Sequence, residues 1–410
     1  MSGQGAPLNT PRDERKRRRR LRRRMLAAEN SLGLLEWREL SSILHEPRGQ
    51  RPEPPMEEPS KSGKWLIGGP IYFHKRRAIL SPAVETIPMT AEPISSAFVS
   101  GHRHPTLPPA THYAGAVYRD DRRIVSEFLE YDSLTGHRVP RRTNPPVIEE
   151  ARVRQAPRLD GTCIYMGPLS DHFGHFLLES MQRAWYLTEA DPSALLLFHR
   201  RSEQANLPPF ARIILAALDV DVARIRITMN DVLVSRLVLP ASQFWQGIKA
   251  SPGMGIAFDH VRERILKRRA GRPPTPAKVY FSRKSLSPER MSGRSRAVIS
   301  NEEEAEALFR KRGYEILQPE TLPFEEQVAL VANATHVAGT SGSALHLMLF
   351  NDNPRTRLIE LRTKPAVNQL LISAIRPSAA FHIWSLAKDS SRETAILDME
   401  VVDQAVRQID

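Results

Sequence analysis

The sequence predicts an α/β protein of two domains with largely parallel sheets, and three observations lead there. From Thr162 onward, short apolar runs alternate with segments of helical period, which is the rhythm of βα units. That rhythm is broken once, at 268–277 (RRAGRPPTPA), where three prolines and a glycine interrupt the chain before a second βα series begins. Finally, 410 residues exceed the size at which one hydrophobic core usually splits. The 41% hydrophobic and 26% charged content is that of a folded soluble chain, and no apolar run approaches the ~20 residues needed to span a bilayer.

The elements follow in chain order. Residues 12–24 hold ten basic and two acidic residues, so +8 of the formal charge of +13 lies there and most of the basicity belongs to a tail. Residues 21–44 mix leucines with charges, as amphipathic helices do, and 47–59 carry five prolines, the composition of an extended linker. The tail and linker are therefore set at 1–60. A first α/β domain is expected over 61–267, a connection over 268–277 and a second α/β domain over 278–410, with a C-terminal segment returning toward the first. Between 65 and 147, short apolar runs (65–67, 71–73, 116–118 and 124–129) alternate with turns and suggest strands with irregular connections.

The clearer series starts with a strand from Thr162 to Gly167, a helix at 171–187, a strand at 194–198, a helix at 209–218 and a strand at 231–239. After the connection come strand 278–281, helix 302–312, strand 314–317, helix 324–332, strand 335–338, helix 343–350 and strand 357–361. Asn301 is placed to cap the 302–312 helix, and Gly313 to stop it. No apolar leader segment follows the arginine run, so a cytoplasmic location is expected. The single cysteine, Cys163, excludes an internal disulfide framework and a cysteine-rich zinc site, and its apolar neighbours mark it as a core residue.

Three constellations can carry chemistry. In 171–183, a helix would set His172, His175, Glu179 and Arg183 on one face, with Phe173, Leu177 and Met181 on another. A histidine with a carboxylate one turn away suits a general base, because the carboxylate fixes the tautomer and stabilises the imidazolium. The same residues read equally as a solvated polar stripe, or as two nitrogens and an oxygen for a metal, although the i, i+3 histidine spacing departs from the helical zinc pair. In 335–346, a strand, the small-residue turn Ser341-Gly342-Ser343 and a helix start would offer backbone N–H groups to a phosphate, or would simply be a tight βα turn. Arg283 and Lys284 lie just past the 278–281 strand, where open α/β sheets hold ligands.

The succession His-Phe-Leu-Leu-Glu (175–179), Val-Tyr-Phe-Ser-Arg (279–283), Ile-Ser-Asn-Glu (299–302), Glu-Glu-Gln (325–327), Gly-Thr-Ser-Gly-Ser-Ala-Leu (339–345) and Ile-Glu-Leu (359–361) resembles glycosyltransferase family 61. Many members have His-Gly-Ala where this chain has Ser341-Gly342-Ser343. The resemblance implies a GT-B architecture, two Rossmann-like domains facing a cleft. It also implies inverting, metal-independent transfer from a nucleotide sugar, bound as substrate and not as a cofactor; the departure at 341–343 keeps the resemblance from identifying the donor, which is expected to be a UDP-sugar. The acceptor would be a hydroxyl of a surface or envelope glycan of the capsular or lipopolysaccharide kind.

On that reading the first domain takes the acceptor and the second the donor. His175, oriented by Glu179, is the base, with His172 the alternative. Arg283, Lys284 and the N–H groups around Ser341, Gly342 and Ser343 meet the diphosphate, and Asn301, Glu302, Gln327 and Glu360 contact the rest of the donor. Residues 12–44 are expected to meet an anionic membrane surface at its inner face. Two rivals stay open: a nucleic-acid-binding protein, suggested by the arginine run although the body lacks a basic stripe with interleaved aromatics, and a metal hydrolase on His172 and His175.

Overall fold

A computed structural model of the chain describes residues 83–84, 86–101, 115–125, 128, 130–131, 138–139, 147–199, 207–246, 249–284, 298–363, 367–387, 390 and 394–409. The expectations for the tail and linker, and for the apolar runs at 65–67 and 71–73, lie outside these residues.

The first half is built on a six-stranded sheet of β1 (Ala91–Val99), β2 (Val117–Tyr118), β3 (Arg158–Pro168), β4 (Leu195–His199), β5 (Ile225–Thr228) and β6 (Val232–Pro240). The order is β2-β1-β6-β3-β4-β5. The four strands from β6 to β5 are parallel, while β1 runs antiparallel to both of its neighbours. Pro93 and the Ser95-Ser96 pair hide β1 in the sequence by breaking its apolar alternation. Of the run at 124–129, Ile124 makes an isolated bridge to Tyr118, and 126, 127 and 129 lie outside the described residues. Cys163 is fully buried in β3, and burial pushes its thiol pKa up to about 11, as befits a core residue.

The second half is a five-stranded, wholly parallel sheet of β7 (Lys278–Phe281), β8 (Glu315–Leu317), β9 (His336–Thr340), β10 (Arg357–Arg362) and β11 (Ala379–Trp384). Its order, β8-β7-β9-β10-β11, makes the chain step outward once from β7 and then return to β9. The principal helices are α1 (Pro209–Ala217), α2 (Gly255–Arg268), α3 (Glu302–Lys311), α4 (Phe324–Asn333), α5 (Asn368–Ile375) and α6 (Met399–Ile409).

Alternation along the strands divides the helices between the two faces of this sheet. Tyr280, Ala338 and Ile359 face α3 and α6, whose Ala305, Phe309, Val402 and Val406 cover them. Val279, Phe281, Val337 and Leu358 face the other way, toward α4, α5 and the 3₁₀ helix Ser343–Phe350. Right-handed crossovers require this split, because the connection from β7 to β8 runs opposite to the later ones. The reversal falls between β7 and β9, and the carboxyl ends of strands at such a reversal are where doubly wound sheets bind ligands.

The apolar cluster on that second face continues into the first half through Phe258, Val261 and Ile265 of α2 to Ile164, Leu196 and Phe198. Polar ties reinforce it: Arg376 meets Asp259 at 2.5 Å and donates to the Asn351 carbonyl at 2.7 Å, and Arg262 meets Asp352 at 2.8 Å. The last helix packs on α3 and β10.

Two helices depart from regular α geometry. The expected 171–187 helix is a short α segment (Phe173–His175), a π turn (Phe176–Ser180) and a 3₁₀ turn (Ala184–Thr188). Ser180 is tied to the end of β3, its Oγ donating to the Pro168 carbonyl at 2.6 Å and accepting the Ser170 N–H at 3.1 Å, and a wider turn reconciles that anchor with the helix. The 343–350 helix is 3₁₀ throughout, with Leu345 and Leu347 to Phe350 buried.

Candidate active site

The turn after β9 is held from below and from the side. From the side, Arg283 follows β7 and donates through Nη1 to the Ser341 carbonyl at 3.1 Å, while its own backbone N–H is accepted by Glu302 Oε1 at 3.0 Å. Ser282 Oγ donates to Glu306 at 2.6 Å and accepts the Lys284 N–H at 3.1 Å, so the first turns of α3 fix the whole 282–284 stretch. Gly342 is extended, with φ 177° and ψ 175°, and a Cβ there would lie 3.8 Å from Arg283 Cδ and Nε. The guanidinium therefore lies alongside the turn whose N–H groups open the 3₁₀ helix.

Below the turn is a buried polar chain. Ser341 Oγ donates to Glu360 Oε1 at 2.8 Å, Glu360 Oε2 lies 2.5 Å from His382 Nδ1, and Arg362 Nη1 is 3.9 Å away. Burial drives the Glu360 pKa upward, but the His382 hydrogen bond, the Arg362 charge and the Ser341 hydroxyl more than offset it and hold the carboxyl low, at about 2. Glu360 was expected to contact the donor. It is 1% exposed and accepts the Ser341 hydroxyl.

The histidine segment approaches this turn from the other half. Gly174 is buried, and a Cβ on it would come within 2.8 Å of Ser343 Cβ and 3.0 Å of His346 Nδ1, so only a residue without a side chain permits the contact. One residue on, His175 Nδ1 pairs with Glu179 Oε1 at 2.9 Å, both side chains half-buried. The pair forms although Glu179 lies within the π turn Phe176–Ser180. The ring of His172 stands edge-on to His175, centroid to centroid 5.0 Å.

His346, not singled out in the sequence, completes the group. It lies one 3₁₀ turn after Ser343 and faces Gly174, and although part of the residue reaches solvent, its Nδ1 is shielded. Burial lowers its pKa to about 4; Glu360 opposes that and the charges of His172 and His175 add to it. The Ser343-x-x-His346 spacing was visible, but nothing local showed which face would meet the other half.

The remaining candidates take other places. Asn301 stands at the N-cap of α3 but makes no capping bond; its amide donates to the Leu397 carbonyl at 2.9 Å and accepts the Leu397 N–H at 2.8 Å, so both ends are used structurally. Gln327 donates to the Leu322 carbonyl at 3.0 Å, within its own helix start. Lys284 is exposed and paired with Glu303. Glu302 is 6% exposed and holds the Arg283 backbone; burial, partly offset by that N–H and charge, raises its pKa. Arg183, expected on the histidine face, is buried with its guanidinium 5.2 Å from the Tyr165 ring centre, because the break after Ser180 turns it toward β3. Among the described residues no three His, Cys, Asp or Glu side chains converge as a metal-ligand group, His172, His175 and Glu179 included.

Compared with known families, residues 173–359 match the model of Glycosyltransferase 61. The match covers slightly less than half of the chain, and it runs from the histidine segment through Arg283 and the 341–343 turn into β10. It supports that family and, with it, glycosyltransferase activity on a sugar donor and an acceptor. No curated protein matches the chain. Among the described residues, no helix is long and apolar enough to cross a membrane.

Proposed function

We propose that this protein is an inverting glycosyltransferase that moves a sugar from a nucleoside diphosphate sugar, a UDP-sugar, to a hydroxyl of a surface or envelope glycan, in a GT-B arrangement and without a metal. The observation that carries this reading is the contact at Gly174, which brings the His175–Glu179 pair from one half against the Ser341–Ser343 turn of the other. The family match extends across both sides of that contact.

With Nδ1–H given to Glu179, His175 presents Nε2 as the proton acceptor. As the acceptor oxygen forms its bond to the anomeric carbon, His175 takes the hydroxyl proton. The bond from that carbon to the diphosphate oxygen breaks on the opposite face, inverting the centre. The departing diphosphate keeps the electron pair, and Arg283 with the N–H groups around Gly342 and Ser343 meets its charge. Glu302 and Glu360 act one layer back, fixing Arg283 and Ser341.

Residues 12–44 would place this chemistry at the inner face of an anionic membrane, where each cation contributes ~1 kcal/mol. The direct test of the reading is a thermal-shift panel of UDP, GDP, CMP and dTDP with wild-type protein and Arg283→Ala. A nucleotide at 100 times its Kd should stabilise the wild type by about 2.7 kcal/mol and the variant far less. If no nucleotide shifts wild-type melting at roughly millimolar concentration, or if Arg283→Ala responds equally, the reading is wrong.

A further inference from the structure

Most buried polar side chains around the glycine turn are fully bonded: Ser282, Ser341, Glu302 and Glu360 each have named partners. Others are not: Thr340 Oγ1 and His346 Nδ1 lack hydrogen-bond partners, and so do atoms of one residue of α5. Gln369, the second residue of α5, is 3% exposed, yet neither its Oε1 nor its Nε2 has a hydrogen-bond partner. Ser373, four residues on along the same helix face, is 4% exposed with its Oγ also unpaired.

Topology places the pair. α5 follows β10, so its first turn stands at the same carboxyl edge of the sheet as Arg283 and Gly342. β10 is the direct neighbour of β9, one strand spacing (about 4.8 Å) from the strand that carries the turn. The helix packs on the 3₁₀ helix Ser343–Phe350 and, from the first half, on the strands Ala83–Val84 and Lys249–Ala250. Val367 occupies its N-cap position and makes no side-chain cap, so the helix start is left without one of the usual oxygen acceptors.

Native proteins leave few buried polar atoms unpaired, because each forfeits its hydration without return. Three such atoms along one face of α5, which starts at the carboxyl edge that carries the candidate active site, are best understood as waiting for a bound partner. A carboxamide offers a donor and an acceptor side by side. Its complement is an uncharged ring with a carbonyl or hydroxyl oxygen next to an N–H or O–H, chemistry found on both the base and the sugar of a nucleotide sugar.

We infer that Gln369 and Ser373 form a binding subsite for that uncharged ring of the donor, adjacent to the diphosphate position at Arg283 and Gly342. The inference rests on the glycosyltransferase reading above and extends it to a part of the donor it left without residues.

The test uses the full chain and the nucleotide that shifts wild-type melting most, alone and as its sugar conjugate. Gln369→Met keeps length and removes both polar atoms; Ser373→Ala removes the hydroxyl. Each is expected to weaken binding of the conjugate, Gln369→Met by roughly tenfold, while the urea midpoint of the unliganded protein stays level or rises. An equal loss for the bare nucleotide identifies the ring as the nucleoside; a loss confined to the conjugate identifies it as the sugar. Unchanged Kd for both ligands, or a lowered urea midpoint in unliganded Gln369→Met, overturns the inference by pointing to a buried water or to packing. Arg283→Ala is the control: if it loses binding and Gln369→Met does not, only this subsite is refuted, whereas no nucleotide binding by the wild type refutes both.

Discussion

His175 is half-buried, bonded at Nδ1 to Glu179 and in edge-on contact with the His172 ring, so removing its ring costs little of the core. His175→Ala should therefore melt near the wild-type temperature and bind nucleotide normally, while turnover falls ~10² to 10⁴-fold. Initial rates beside calorimetric nucleotide binding separate the two effects; normal turnover would remove His175 from the base role. His346 should show itself in stability. Its folded pKa is lowered to about 4, against 6.5 for an ordinary histidine, so between those values the unfolded chain binds a proton that the folded one does not. Stability is thus unaffected by this group above pH 6.5 and declines as pH falls toward 4. Glu360 acts lower: its contribution is full above its ordinary value of 4.5 and is lost on descent to about 2. Urea midpoints from pH 7 to 4 should fall less steeply in His346→Gln than in wild type, and parallel curves would argue against the shielded ring.

At the scale of elements, glycines decide how segments end and meet. Gly313 closes α3 with φ +79°, the Tyr314 N–H reaching the Phe309 carbonyl and the Gly313 N–H the Arg310 carbonyl, both at 3.0 Å. A Cβ there would touch nothing within 4 Å, so Gly313→Ala should cost about 1 kcal/mol of conformational strain alone, read as a lowered melting temperature with activity unchanged. Gly174→Ala differs, because its Cβ would collide with Ser343 and His346. It should destabilise by about 1–3 kcal/mol and, by parting the base from the turn, reduce turnover well beyond any change in nucleotide affinity. Retained wild-type turnover in a folded Gly174→Ala protein would mean the contact is not catalytic geometry.

The two described sheets share one apolar cluster that passes from the first through α2 to the second, and the formal charge of +13 is concentrated at 12–24. Deleting residues 1–60 should spare catalysis on a soluble acceptor and abolish attachment to anionic vesicles. Flotation of full-length and truncated protein checks this: binding that needs anionic lipid, fades with salt and disappears on truncation is the expected result, and equal flotation of both forms would refute it.

The sequence by itself determined what depends on near neighbours. The strands β3, β4 and β6 to β10, the stop at Gly313, the His175–Glu179 pair and the position of Arg283 just past a strand all follow from local period, capping and turn chemistry, whereas β5 and α2 escaped that reading. The apolar runs of β10 and β9 reveal strands, but not that Glu360 would sit beneath Ser341. Only the tertiary structure decided that carboxyl's role, because it rests on parallel pairing that brings Ser341, Glu360 and His382 together from separate strands. The same holds for His346 and Gln369, whose significance comes from what the opposite half places against them or leaves unbonded. Local periodicity carries no record of contacts closed across a hundred or more residues, and it is those contacts that turn two legible halves of a site into one.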